Sequence, residues 1–587
     1  MALTGRQRPP PEHSFSPHDA VLRTAAPHVA RRRFLTVTAA AAMLAFSTNR
    51  PARGATAAPE LDAARITDDP FTLGAASGDP LPDSVLIWTR LAPEPFAEDG
   101  GLGQQRVVVS WEVAMDEWFV FVEQSGVATA HPEYGHSVHV DVKGLMPDSH
   151  CYRFRVGAWI SPAGRTRTAP AAGSDPDSMR LAAVACQAYQ DGYYTARRHL
   201  AQEDVDVVFH LGDYLYEYAV DSAGGARRYT DVKLPDVFNR EATTLADYRL
   251  RYALYKTDPG LRAAHAQHPF VVTWDDRETE NNYVGAVDEE HSPQEEFLVR
   301  RAAAYRAYWE NQPLRAAQLP KGPDARLYRR LAWGSLAQFD ILDTRQYRSD
   351  QAYNDRPHAP GAESDDPART LTGAEQERSL LDGWWDSDAL SNVMPQQVCF
   401  SPRKFDLTAP AQVSMDAWDG YRASRNRVMA GAKAAGIDNW MGLTGDVHVG
   451  YAFDVKEDFD DPQSETVGTE FTCTSIASGG NGAEKPPDWE TYMKADPHMK
   501  YFDGRVLRHG GGFARPEVRV RRGAAAVLHL APFAAPKRET GPPWTSRKAL
   551  QARPFRQGLG LCGSYTRERR RHHAWSTDMP SPDAERP

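Results

Sequence analysis

The sequence predicts a layered α/β domain over about residues 179 to 504, preceded by a small all-β sandwich over about 65 to 168. Three observations carry this expectation. Strand-like and helix-like stretches alternate after Met179, as stacked α and β layers require. Short alternating apolar and polar runs crowd the stretch from Phe71 to Arg167, which suits a sandwich of the immunoglobulin or fibronectin type III kind. Two largely apolar runs, Val205 to Leu211 and Trp440 to Leu443, each lead into Gly-Asp, where a buried strand leaves a sheet at its carboxyl end and ligands collect.

Taken in order, the chain first shows Arg31-Arg32-Arg33-Phe34-Leu35, a short Ala-rich apolar run ending near Phe46, and Ala55-Thr56-Ala57. Basic residues, a run too short to span a bilayer and a small-residue cleavage site describe a secretory signal over residues 1 to 57, and paired arginines before Phe-Leu fit the twin-arginine export route. The protein is thus expected outside the cytoplasm. Strands are expected at Val85 to Arg90, Val107 to Val113, Ser137 to Val142 and Tyr152 to Val156, with Gly144-Leu145-Met146-Pro147-Asp148 among the turns between them. A linker follows at Pro170 to Pro176. Beyond it, Arg180 to Ala185 reads as a strand, Tyr193 to Gln202 as a helix and Val205 to Leu211 as the next strand. Phe297, Ala304, Tyr305 and Trp309 recur at helical spacing. Ser335 to Leu342 and Asp438 to Leu443 read as strands, and residues 346 to 370 as a polar loop rich in Asp and Pro.

Hydrophobic content of 41% and charged content of 25% are those of an ordinary globular protein. The net charge of −10 conceals a division, because the chain from Arg505 onward carries 17 Lys and Arg against 6 Asp and Glu. The acidic body disfavours nucleic-acid binding. The five cysteines, Cys151, Cys186, Cys399, Cys473 and Cys562, are odd in number, so at least one thiol is left over, and metal ligation is one use for it.

The strand ends hold the candidate chemistry. His210 to Glu217 and Leu443 to His448 carry Gly-Asp, while Val271 to Glu278 ends in Asp275-Asp276. Metal-assisted ester hydrolysis commonly uses two cations roughly 3.5 to 4 Å apart, bridged by a carboxylate. Asp213 is the natural bridge, with Gly212 giving the turn room. Tyr216 reaches the same site if the turn continues as one helical step; a phenolate suits trivalent iron, which also favours a thiolate from Cys186. The plainer alternatives are that Asp213 caps a helix and Tyr216 packs. Asp446 and His448 occupy alternate positions of one strand end and face the same side. Asp275 and Asp276 point to opposite faces of an extended chain, so one of them is the expected ligand. Glu280, Asn281 and Asn282 add oxygens suited to calcium, although the two asparagines equally suit the cap of the next helix. Arg345, after a buried strand, can pair with phosphate oxygens or lie solvated.

These segments, with Phe71 to Pro80, Ala185-Cys186-Gln187-Ala188-Tyr189, Leu342 to Arg348 and Trp418-Asp419-Gly420-Tyr421, resemble the PhoD-like alkaline phosphatases, which are grouped with the calcineurin-like metallophosphoesterases. The resemblance runs from Phe71 to about Gly504. It implies a metallophosphoesterase sandwich of two sheets flanked by helices, and an exported monomeric hydrolase of phosphomonoesters and diesters holding Fe3+ and Ca2+. Cys186, Asp213 and Tyr216 would hold iron, with Asp213 bridging to calcium. Asp276, an Asn of the Asn281-Asn282 pair, Asp446 and His448 would complete the site, and Asp213, Arg345, His448 and the Arg277 that replaces a family histidine are the catalytic candidates. A bridging hydroxide or oxo group would attack phosphorus. Expected partners are small phosphate esters or phospholipids and the twin-arginine export machinery, with no specific nucleic-acid binding.

The chain departs from this pattern in three places. The family reads Trp-Asp-Asp-His-Glu where this sequence has Trp274-Asp275-Asp276-Arg277-Glu278; arginine keeps a charge but cannot shuttle a proton. Ser379 and Ser391 stand where the family places tryptophans. The segment 505 to 587 lacks the expected closing strand pair, which points to a shift of reading frame near Arg505, or else to a disordered basic tail. Two other readings compete: a phospholipase D-like diesterase, and a catalytically weak phosphate- or metal-binding module.

Overall fold

The computed structural model describes residues 58–220, 234–405, 409–437, 440–479 and 489–504, and one further strand at 526–530 by its backbone. The signal, Cys562 and nearly all of the basic tail lie outside these residues.

The β-rich region supplies β1 (Ala75–Leu81), β2 (Ser84–Arg90), β3 (Val107–Ala114), β4 (Val122–Ala130), β5 (Ser137–Lys143), β6 (Ser149–Val156), β7 (Trp159–Ile160) and β8 (Gly164–Arg167). There follow β9 (Met179–Val184), α1 (Thr195–Leu200), β10 (Val207–Leu211), α2 (Leu245–Lys256), α3 (Pro259–Gln267), β11 (Pro269–Thr273) and α4 (Gln294–Asn311). The second half adds β12 (Arg329–Trp333), β13 (Ala337–Ile341), α5 (Gly373–Trp385), β14 (Ser391–Pro395), α6 (Arg422–Ala435) and β15 (Trp440–Thr444). It closes with β16 (Gly450–Lys456), β17 (Thr466–Thr472), α7 (Trp489–Ala495), β18 (Met499–Asp503) and β19 (Ala526–Leu530).

Two seven-stranded sheets form, in the orders β19-β9-β10-β11-β1-β2-β5 and β12-β13-β14-β15-β17-β16-β18. They face each other across one apolar core, where Leu181, Phe209, Leu211 and Val271 of the first sheet meet Trp333, Phe339, Val393 and Leu443 of the second. The Phe209 and Phe339 rings lie 4.8 Å apart. Helices cover the outer faces. Tyr252, Leu261 and Tyr308 pack on Val208, Phe270 and Val272 of the first sheet, and Leu380, Trp384 and Val428 pack on Met394 and Trp440 of the second. Strands buried on both faces have no polar side to display, which is why β10, β11 and β15 read as largely apolar runs.

The β-rich region is less separate than its sequence suggests. β1 pairs in parallel with β11, so β1, β2 and β5 continue the first sheet, while β3, β4, β6, β7 and β8 form a five-stranded sheet of their own. Val85, Ile87, Val138 and Val142 of the continued sheet share a core with Val109, Tyr152 and Phe154 opposite. The tail also contributes: β19 runs antiparallel to β9 on the sheet's edge. Of the two departures within the second sheet, Ser391 is buried at the start of β14, and Ser379 is half-buried in α5, where its carbonyl accepts from Arg330 Nη2 at 2.6 Å. Among the described residues no helix is long and apolar enough to cross a membrane.

Candidate metal centre

Parallel strands β9, β10, β11 and β15 all release their chains at one edge of the two sheets, and the loops there are laced together. Cys186 N donates to Gly212 O at 3.2 Å, Gln187 N to Asp213 O at 3.0 Å, and Ile476 N to Cys186 O at 2.9 Å. Gly212, at φ 109°, has to be glycine: a Cβ would stand 2.5 Å from the Asp275 Cβ. Five candidate residues adopt the left-handed backbone that side chains disfavour: Cys186, Asp213, Asn282, Asp446 and His448. Such strain gathers where a site over-determines its geometry.

The donors fall into two groups that share one residue. Ligand atoms of Cys186, Asp213 and His448 lie within 4.8 Å of one another, and so do those of Asp213, Asp275 and Asp276. Tyr216 joins the first group: its hydroxyl donates to Asp213 Oδ2 at 2.9 Å, lies 3.0 Å from His448 Nε2, and accepts from Ser478 Oγ at 2.7 Å. His448 Nδ1 donates to Gly479 O at 2.7 Å, which leaves the Nε2 lone pair facing the group.

Electrostatics mark the cluster as short of positive charge. Burial pushes the Asp213 carboxyl well above its usual range, and Asp276, Asp275 and Glu278 push the same way. Burial likewise raises the Cys186 thiol, helped by Asp213 and Asp446, and the Tyr216 phenol, helped by Asp213 and Cys186. Asp446 is raised to about 6 by burial and then by Asp416. Asp213 Oδ1 and Asp275 Oδ2 are buried without a hydrogen-bond partner among the described residues. Orphaned carboxylate oxygens in a buried acidic cluster are what a bound cation would satisfy, and the donor set fits two: thiol, phenol, carboxylate and imidazole on one side, carboxylates and an amide on the other.

Each remaining candidate has a definite place. Asp275 and Asp276 both face the cluster, because the chain turns after Trp274 instead of continuing extended. Asp276 is held below its usual range: burial would raise it, but Arg345 and Arg277 prevail. Asn282 lies beside it, donating its backbone N–H to Asp276 Oδ2 at 2.8 Å, whereas the Asn281 side chain turns outward to Glu289 at 2.6 Å. Neither caps a helix, since α4 begins only after Pro293. Glu280 is spent on Arg300 at 3.0 Å. Asp446 joins neither group of three, yet it feels the charges of Asp416, Arg345 and Asp276. Arg277 stands at the rim, 3.3 Å from Glu217 and 3.9 Å from Asp276, with its guanidinium 5.3 Å from the Tyr216 ring centre.

Arg345 corrects the expectation of a phosphate-facing or solvated side chain. It is wholly buried, donating from Nε to Asp275 Oδ1 at 2.5 Å and from both Nη atoms to Asp416 at 2.8 Å. The guanidinium is a strut under Asp275. Sequence reasoning missed Asp416 itself, which is also bound by Arg348 at 2.6 Å. It missed Glu278 as well, whose carboxylate accepts from the backbone N–H groups of Tyr214 (2.6 Å), Asp275 (2.9 Å) and Asp213 (3.2 Å). Ser478 was legible only as part of the small-residue stretch that follows β17.

With this geometry in hand, comparison with known proteins is decisive. The family described as PhoD-like phosphatase matches residues 181–516, and its N-terminal domain matches residues 55–170. The chain belongs to the PhoD-like phosphatase family. It is similar to alkaline phosphatase D of Bacillus subtilis (strain 168), with 48% identity over 439 residues, covering 74% of either chain. A solved structure described as that of PhoD superposes with a TM-score of 0.73 at 45% identity, covering 79% of this chain and 85% of the other. The protein is therefore a hydrolase of phosphoric ester bonds built on the PhoD fold, and it carries acidic clusters suited to metal. The family match continues twelve residues past Gly504, into the segment whose composition departs from the rest.

Proposed function

We propose that this chain is an exported alkaline phosphatase that hydrolyses phosphomonoesters and diesters with Fe3+ and Ca2+ held side by side. One observation carries the reading: Asp213 belongs to both donor groups, as a bridging carboxylate must. Cys186, Asp213, Tyr216 and His448 would hold iron, the phenol favouring the trivalent ion. Asp213, Asp275, Asp276, Asn282 and Asp446 would hold calcium. The two ions, when bound, supply Lewis acidity toward a phosphoryl group and make water a stronger nucleophile at the working pH.

The chain's own residues do the rest. Arg345 and Glu278 keep Asp275 and Asp213 at fixed distance. Arg277, about a fifth exposed and paired with Glu217, keeps a permanent positive charge beside Asp276 and Tyr216, where it would attract phosphoryl oxygens. It cannot give up a proton at any working pH, so good leaving groups, aryl over alkyl, are the favoured substrates. We assign residues 1–57 to a twin-arginine signal, 65–168 to a β-rich domain, 179–504 to the catalytic domain and 505–587 to a tail of aberrant composition, and we take the enzyme to act as a monomer outside the cytoplasm. The test is hydrolysis of an aryl phosphate monoester and diester before chelation, after it, and after calcium is returned. Activity that disappears and returns supports the reading. A folded, iron- and calcium-loaded protein without turnover refutes it.

A further inference from the structure

Asn282 is held at every polar group but one. Its backbone N–H donates to Asp276 Oδ2 at 2.8 Å, its carbonyl accepts from Gln351 Nε2 at 2.7 Å, and its side-chain Nδ2 donates to Asp355 Oδ2 at 2.6 Å. Only Oδ1 remains. An ionised carboxylate only accepts, so Asp355 in that form sets which way round the amide sits. Gln351 and Asp355 both come from the polar, Asp- and Pro-rich loop after β13.

That loop is built to stay where it is. Tyr353, Asn354 and Asp355 are three consecutive left-handed residues, at φ 54°, 51° and 57°. Each costs conformational energy for an L side chain, so the run persists only under constraint from its surroundings. The constraints are visible: the Tyr353 ring stacks on His358 at 3.7 Å, His358 and Val413 exchange backbone hydrogen bonds at 3.3 and 3.0 Å, and Gln351 Nε2 also reaches Asp416 Oδ1 at 3.0 Å.

We propose that Asp355, with Gln351, is a positioning clamp that presents the Asn282 side-chain oxygen to the cation beside Asp276. The inference rests on the calcium site proposed above and adds to it the residues that orient its amide ligand. Neighbours that orient a metal ligand are typically worth 10- to 100-fold in metal affinity.

The experiment is calcium titration, by calorimetry, of the mature protein stripped of calcium with EGTA, for the parent, Asp355→Gly and Asp355→Asn. Glycine removes the acceptor and suits the left-handed backbone; asparagine tolerates that backbone and loses the charge, and its own amide can turn its oxygen toward Asn282 Nδ2, so an acceptor remains. The expected result is a calcium Kd raised about 10- to 100-fold in Asp355→Gly and within about 3-fold of the parent in Asp355→Asn. Should the glycine variant not fold, Gln351→Leu, which frees the Asn282 carbonyl, takes its place: a calcium Kd raised about 10-fold is expected, and a parent-like Kd overturns the clamp. Equal affinity in parent and glycine variant overturns it. So does a loss in Asp355→Asn as large as in Asp355→Gly, since charge and not orientation would then be at work. A parent that binds no calcium overturns the site reading, and the clamp with it.

Discussion

Replacing Arg345 separates a strut from a substrate-binding residue. The side chain is entirely buried between Asp275 and Asp416, and three recorded hydrogen bonds tie it to them. Removing one partner of a buried ion pair costs about 3 to 5 kcal/mol, because a charge is left without compensation. Here Asp416 would keep Arg348 at 2.6 Å and Gln351 at 3.0 Å, so the charge chiefly abandoned is that of Asp275. Arg345→Met is therefore expected near the lower end, about 3 kcal/mol. Arg345→Lys restores the charge, but one ammonium cannot bond Asp275 while forking onto Asp416, and about 1 to 2 kcal/mol should be lost. Urea unfolding measures both. In steady-state hydrolysis of an aryl phosphate, kcat should fall about 10-fold or more as Asp275 shifts, with KM within about 2-fold. An Arg345→Lys protein with the parent's urea midpoint and a KM raised about 10-fold would refute the argument, for that is how a phosphate-binding arginine behaves.

Glu278→Ala should orphan the three backbone N–H groups that its carboxylate serves, costing about 3 to 5 kcal/mol in urea unfolding, whereas Glu278→Gln, with one acceptor left, should lose about 1 to 3. Tyr216→Phe keeps the ring but deletes the hydroxyl that meets Asp213, His448 and Ser478. On the iron site proposed above, absorption spectroscopy should lose the visible phenolate-to-iron band, and urea unfolding should lose about 1 to 3 kcal/mol, because Asp213 Oδ2 and Ser478 Oγ are left without the hydroxyl. His139 stacks on Trp309 at 3.9 Å with Nε2 donating to Trp309 O and Gln312 O, and burial takes its pKa down to about 4. The unfolded chain, with a histidine pKa near 6.5, takes up the proton first. Stability from this group is thus complete above about pH 6.5 and falls as the pH drops toward 4, by at most about 3 kcal/mol. His139→Gln should flatten that part of the urea-midpoint profile between pH 7 and 4.5; an unchanged slope would show that other groups set it.

The parts of the fold legible in the sequence were those in which burial leaves a periodic trace. β10, β11 and β15 are buried at every position and read as apolar runs, so their ends, and the acids Asp213, Asp276 and Asp446 just beyond, stood out. α2 was missed for a related reason. Nine of its twelve residues are buried, Arg251 and Lys256 among them, so no polar stripe remains to betray a helix. β1, Ala-Ala-Ser-Gly-Asp-Pro-Leu, has no pattern of its own and becomes a strand because β11 and β2 flank it. That local silence is why the β-rich region looked like a freestanding sandwich.

Within the site, position was legible and direction was not. Asp213 and Arg345 give the same signal, a charge just past a buried strand. Their fates diverge through residues distant in sequence: Arg345 meets Asp416, 71 positions on, and Asp275, 70 positions back. Asn281 and Asn282 are indistinguishable as letters; the left-handed backbone at Asn282 turns one amide inward and leaves the other to Glu289. The useful distinction is therefore which hydrogen-bonding capacity has been used up. Arg345 and the Glu278 carboxylate are committed to protein partners and act as struts, whereas Asp213 Oδ1 and Asp275 Oδ2 are buried without a hydrogen-bond partner among the described residues. A buried carboxylate oxygen without a partner costs free energy, and where two belong to one acidic cluster, as Asp213 Oδ1 and Asp275 Oδ2 do, a bound cation is the partner that would offset that cost.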